Sequence, residues 1–172
     1  MENIIIKDYL TEDKLRKTLQ KIIGIENWIG NEIRVPGTMK RWDMGFKYNS
    51  INYIIEFDGD KHYMDSLLIK SDNIKDEIAR KLKYITIRIP YFIQLTNETF
   101  RYYFPFIVNR YNIFQNYPHG FIDKKATFPA SYCKLGIIKF NEQIDNLPKT
   151  VSDEIFESLK IKAKEYGDIY VY

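Results

Sequence analysis

The chain has 172 residues, 45% of them hydrophobic and 16% aromatic, which excludes a disordered chain and is enough to build a core of ordinary size. A net charge of +3 excludes a strongly basic nucleic-acid coat, and the Ile-Ile-Ile run at residues 4–6 is too short for a signal peptide or a membrane span, so the expected location is the cytoplasm. The single cysteine, Cys133, excludes an internal disulfide and a cysteine-based zinc cluster, and reads as a small buried residue.

In chain order, Thr11 is placed to cap a helix whose apolar stripe is Leu15, Leu19, Ile22 and Ile23, with Lys14, Arg16, Lys17 and Lys21 on the polar side and Gly24 at its end. Glu12 and Asp13 fall in its first turn, where the helix dipole favours acids. Residues 28–38, with Pro36 and Gly37, read as a strand or loop leading into residues 41–63, which read as a β-hairpin. With Asn49 and Ser50 as a two-residue turn, pairing counted outward places Asp43 opposite Glu56. Alternation then puts Glu56 and Asp58 on one face and Tyr53, Ile55 and Phe57 on the other. Carboxylates that close raise one another's pKa, and a divalent cation keeps them ionised.

Residues 64–71 read as a connecting loop, after which Asp72 begins a second helix with Ile74, Ile78, Ala79 and Leu82 inward. Residues 84–89 alternate as a strand that Pro90 stops. Strand, strand, helix, strand predicts an α/β chain with a mixed sheet and a three-layer α/β/α arrangement. The expected division is a core over residues 1–92 and a helical, aromatic extension over 93–172 packed on it. In that extension residues 96–114 read as mainly helical despite Pro105, with Phe100, Phe104, Ile107, Tyr111 and Phe114 as one stripe. The aromatic-rich stretch 110–140 reads as a second small core or a base-stacking surface, and His119 within it as a hydrogen-bonded turn histidine. Thr150 with Asp153 makes a capping box for a last helix carrying Ile155, Leu159 and Ala163.

Glu56 interrupts an apolar strand at a position where a buried strand uses an apolar residue, and an unpaired buried carboxylate is costly, so its reading is functional. Asp58 with Gly59 also suits the turn that ends a strand, and Asp72 also suits a helix cap. His62, six residues after Glu56, is placed to swing toward the same patch.

Asp43 followed by Glu56, Asp58, Gly59, His62 and Tyr63 resembles the core of the PD-(D/E)XK nuclease superfamily, and within it the very-short-patch-repair-like branch. Asp72, Lys75 and the IRIPY strand extend the likeness, which covers roughly residues 10 to 92. The resemblance implies a Mg²⁺-dependent DNA endonuclease, with Mn²⁺ as a substitute, serving restriction, repair, homing or phage DNA processing. Asp43 and Glu56, with Asp58, are the expected metal ligands, and one acid of the first helix, Glu12 or Asp13, stands near them. Where the superfamily has a lysine two residues after Glu56 this chain has Asp58, so Lys61 or His62 takes over that role. His62 is then the general acid or base, and Asp72 orients it or completes the acidic cluster. Lys75, Arg101 and Arg110 are the expected contacts to the DNA backbone. Two rival readings accompany this one: a nuclease-fold DNA-binding module without catalysis, and a protein-interaction subunit. In the latter the second half is the surface for a homodimer or protein partner.

Overall fold

A turn with two residues of positive φ, Asn49 (48°) and Ser50 (65°), sets the register of the central sheet, because that turn matches the twist of the strands it joins. The computed structural model describes residues 2–172. The strands joined by the turn are β3 (Arg41–Tyr48) and β4 (Ile51–Asp58), antiparallel from Tyr48↔Ile51 to Met44↔Ile55 as the alternation predicts. Strand β2 (Trp28–Arg34) pairs antiparallel with β3, and β5 (Tyr84–Pro90) pairs parallel with β4, giving a mixed sheet in the order β2-β3-β4-β5. Residues 28–34 are therefore strand, and the turn falls at Pro36 and Gly37.

Helices cover both faces. Helix α1 (Glu12–Ile23) is capped by Thr11, whose hydroxyl accepts from the Lys14 amide at 3.3 Å, and ends at Gly24 with φ 90°. Its buried Leu15, Leu19 and Ile23 join Phe46, Tyr53 and Ile55 in the main core. On the other face Ala79 of helix α3 (Ser66–Lys81) meets Ile54, Trp42 and Val35 in a smaller cluster. Each such large side chain, fully buried, contributes roughly 1.5–3 kcal/mol.

The second helix departs from the sequence reading at its start. A single turn, α2 (Lys61–Met64), follows β4, and Asp65 then caps α3 by accepting from the Leu67 and Leu68 amides at 2.8 and 3.3 Å. Residues 64–71 are thus mostly helix, and Asp72 lies inside α3 rather than capping it. The rotation that follows turns Ile74 and Leu82 outward and buries Ile69, Asp72, Lys75 and Ala79. Two of those four are charged, so the inward face of α3 serves a polar site more than a core.

Residues 96–114 are not one helix. Helix α4 (Asn97–Tyr103), opened by a reciprocal cap between Thr96 and Thr99, stops before Pro105, which cannot continue a helix. Beyond it β6 (Tyr111–Gln115) pairs parallel with the N-terminal strand β1 (Glu2–Ile6). The expected stripe is split accordingly: Phe100, Phe104 and Ile107 are buried and Phe114 is exposed. Helices α5 (Lys134–Asn146) and α6 (Lys149–Tyr166) complete the chain. Helix α5 starts at Cys133, whose sulfur accepts from the Gly136 amide; the cysteine is a half-buried cap rather than a core residue. Pro148 precedes α6 in place of the expected capping box, and the Thr150 hydroxyl instead donates to Glu98 at 2.6 Å. Ile155, Leu159 and Ala163 are buried as predicted. Phe121, Tyr132 and Phe140 are buried in the main core, which runs without interruption across residue 92. Among the described residues no helix is long and apolar enough to cross a membrane.

Candidate functional site

The site grows from the last turn of strand β4 and the face of α3 beneath it. The Asp43 carboxylate (Oδ2) accepts from the Phe57 amide at 2.7 Å, just past the last ladder pair, Met44↔Ile55. Here the alternation of β3 breaks: Met44 joins the core of Ile55, whereas Trp42 joins that of Ile54. The Asp43 carboxyl consequently ends beside Glu56 rather than in a regular cross-strand pair. Burial, opposed by the Phe57 amide and Lys75, raises the Asp43 pKa, and the charge of Asp58 adds to the rise.

Glu56 is buried, and burial together with the charge of Asp43 raises its carboxyl to about 7. The proton that Glu56 retains has Asp43 as its acceptor. Lys75 forms an ion pair with Glu56 Oε1, off hydrogen-bonding geometry, and Arg88 lies 4.0 Å from the same oxygen. Lys75 is itself buried, so it lies inside the protein rather than on a surface offered to a DNA backbone. Of the two acids in the first turn of α1, Asp13 is held below the ordinary range by a hydrogen bond from Lys17 and by its charge, with Arg16 also paired to it. Glu12 is raised, first by desolvation and then by the charges of Asp43 and Glu32. Glu12 is thus the first-helix acid that stands near Asp43.

Asp58, two residues along the same strand, is in a different condition. It is fully buried, and Arg88 donates to Oδ1 and Lys139 to Oδ2, each at 2.7 Å. Arg88 also forks onto Asp76 with two bonds of 2.8 Å and lies 3.8 Å from Asp72. His62 donates from Nδ1 to Asp72 Oδ2 at 2.5 Å, with Asp58 Oδ1 at 3.6 Å. Burial works to lower the imidazole pKa, but the Asp72 hydrogen bond and the charges of Asp58 and Asp72 outweigh it, so the net shift is upward. Asp72 in turn is lowered: burial opposes the shift, and the His62 bond with the charge of Arg88 overcomes it. Asp58, His62 and Asp72 each offer a ligand atom within 4.8 Å of the others, a spacing able to hold a metal ion, and Asp72 Oδ1 has no hydrogen-bond partner.

Two cations of this network, Arg88 and Lys139, have no role in the sequence reading. The parallel register sets Arg88 beside Glu56, a neighbour that strand propensity alone does not specify. Lys139 comes from α5, which closes on the backbone of α2 because Gly136 has no side chain: a Cβ there would fall 1.8 Å from the Tyr63 carbonyl oxygen. That contact, with the Cys133 amide donating to the same carbonyl at 3.0 Å, sets Lys139 over the Tyr63 ring and onto Asp58. The glycine in KLGIIKF was the one local signal of this approach. Lys61 is exposed and pairs with no carboxylate among the described residues. Arg101 and Arg110 are likewise exposed, outside the network. His119 is buried with Nδ1 accepting from the Gln94 amide at 2.9 Å, a hydrogen-bonded histidine.

Comparison with protein-family models, with curated proteins and with solved structures found no match.

Proposed function

We propose that the protein is a divalent-metal-dependent DNA endonuclease of the PD-(D/E)XK type. The observation that carries this reading is the pair Asp43 and Glu56, two carboxyls pressed together with Glu12 near: the charge of Asp43 raises both Glu56 and Glu12, and burial raises Asp43 itself. An all-oxygen donor set of that charge suits Mg²⁺ or Mn²⁺, and the residues therefore fit the ion. Bound there, the ion would supply charge stabilisation at a phosphodiester. Asp58 is the weaker ligand of the expected three, because both its oxygens already carry cations. The Asp58, His62 and Asp72 trio is a poorer seat for a hard cation for the same reason, since an ion would have to displace Arg88 and Lys139.

The chain's own groups then divide the remaining work. His62, oriented through Nδ1 by Asp72, keeps Nε2 to take a proton from water or give one to the leaving oxygen. Lys75 sets an ammonium on Glu56 from helix α3, where the resemblance expects a strand lysine. A supercoiled-plasmid assay with Mg²⁺ or Mn²⁺ tests the reading. Wild type should nick or linearise the plasmid and stop on chelation. Asp43→Ala should lose about a thousandfold or more, the few kcal/mol that metal-held charge is worth. Metal-independent cleavage, or an Asp43→Ala variant as active as wild type, would sink it.

A further inference from the structure

A cavity of about 270 Å³ opens at the carboxyl ends of β4 and β5, where open α/β sheets bind their ligands. Phe57 and Tyr91, at the ends of those two strands, wall it together with Phe121. Phe57 joins the cavity to the candidate active site, because its amide is the one that Asp43 accepts.

Gln94 brings a polar group of fixed orientation to the cavity wall. It is 1% exposed, and its Oε1 accepts from the Leu10 amide at 2.7 Å and from Gln115 Nε2 at 3.1 Å. The backbone donor settles which end of the amide is oxygen. The Nε2 hydrogens are then on the side of the amide free to donate into the cavity that Gln94 lines. A ligand carrying an acceptor would take a hydrogen bond from that amide. At the rim Asp123 offers a carboxylate and Lys125 an ammonium with no ion-pair partner among the described residues. Aromatic walls with donors and an acceptor around the edge suit a flat heterocycle that carries both kinds of group.

We propose that this cavity binds a single nucleobase of the DNA strand, turned out of its stack next to the bond to be cut. The identity of the ligand rests on the endonuclease reading; the cavity and its aromatic and polar lining do not. Selection of the cleavage site would then come from the base held by Gln94, Asp123 and Lys125.

The test uses the ¹⁵N-labelled full chain in chelator, titrated with each of the four deoxynucleoside monophosphates. At least one should shift the Gln94 side-chain amide and the Phe57 and Tyr91 amides in the millimolar range. Ala126→Leu, which fills the cavity, should weaken that binding about tenfold, the worth of one lost stacking contact. Lys125→Ala, a change at an exposed rim position, should weaken it about threefold and carries the test where Ala126→Leu fails to fold. Glu56→Gln should bind the nucleotide as wild type does while losing cleavage. Binding in a wild type that cuts no DNA would uphold the cavity and overturn the endonuclease reading. Absence of any nucleotide shift, or binding and cleavage undiminished in both cavity variants, would overturn the cavity proposal and leave the endonuclease reading standing.

Discussion

Glu56 and Asp58 lie two residues apart on one strand, both buried, yet their electrostatic conditions are opposite. Asp58 has a cation on each oxygen, whereas Glu56 shares its surroundings with Asp43 and holds a proton to about pH 7. Burial is the same in both cases, so burial does not decide the outcome. Neighbour charge does. The fold neutralises Asp58 with side chains from β5 and α5, and it leaves the Asp43 and Glu56 pair short of positive charge, although Lys75 is present. A network satisfied from within suits positioning, and a pair that repels suits an exchangeable cation.

Removing one carboxylate from each side should break this contrast most visibly. Asp58→Ala takes from Lys139 its carboxylate partner and from Arg88 one of its partners, with Asp76 left to Arg88, and is expected to cost about 3 kcal/mol in urea unfolding. Asp43→Ala, without metal, loses the Phe57 hydrogen bond but relieves repulsion, and should change stability by no more than about 1 kcal/mol. Equal losses in the two variants would erase the distinction.

The pH dependence of stability sharpens the same comparison. Because the folded carboxyl of Glu56 is raised from 4.5 to about 7, the folded state keeps a proton that the unfolded chain releases. The contribution is full below the unfolded value and is lost as pH rises through the folded one. Metal-free wild type should therefore lose roughly 3 kcal/mol across that window from this group, and the raised Asp43 works in the same direction. Glu56→Gln, unable to ionise, should show a flatter profile. A parallel profile in the variant would remove Glu56 as the cause.

Activity separates His62 from Lys61. His62→Ala is expected to lose about a hundredfold in cleavage rate, and Lys61→Ala no more than about twofold. With His62 as the base, the wild-type rate should climb with pH through an imidazole pKa above its ordinary 6.5. The smallest effect belongs to the surface. Replacing Arg101 and Arg110 together with Ala should reduce the salt slope of DNA binding by about 1–2 while leaving the rate at saturation alone. An unchanged slope would remove both from the DNA path.

Much of the near geometry was legible because it is local. Thr11 and Gly24 bound a helix by capping chemistry alone, and the Asn49–Ser50 turn with period-two alternation sets the register from Tyr48↔Ile51 to Met44↔Ile55; the alternation breaks just beyond it, so the place of Asp43 beside Glu56 is not a regular cross-strand pair. Local signals failed where two of them competed. Asp65 and Asp72 are both caps by residue type, and Asp65 starts α3 because its carboxylate reaches two free amides while Asp72 is needed inward against His62. Pro105 outweighed the apolar spacing that suggested a long helix over residues 96–114.

The amino-acid sequence by itself determined the hairpin, its acids and the α/β class, since each follows from interactions between residues near in the chain. Only the tertiary structure decided which acids stay unneutralised. Arg88 reaches Asp58 through a parallel register that follows from packing, and Lys139 arrives from 81 positions away along the chain because Gly136 lets α5 close on Tyr63. Long-range partners of this kind carry no periodicity of their own. They are set by how helices and sheet settle together, and the charge left over at Asp43 and Glu56 is a result of that settlement.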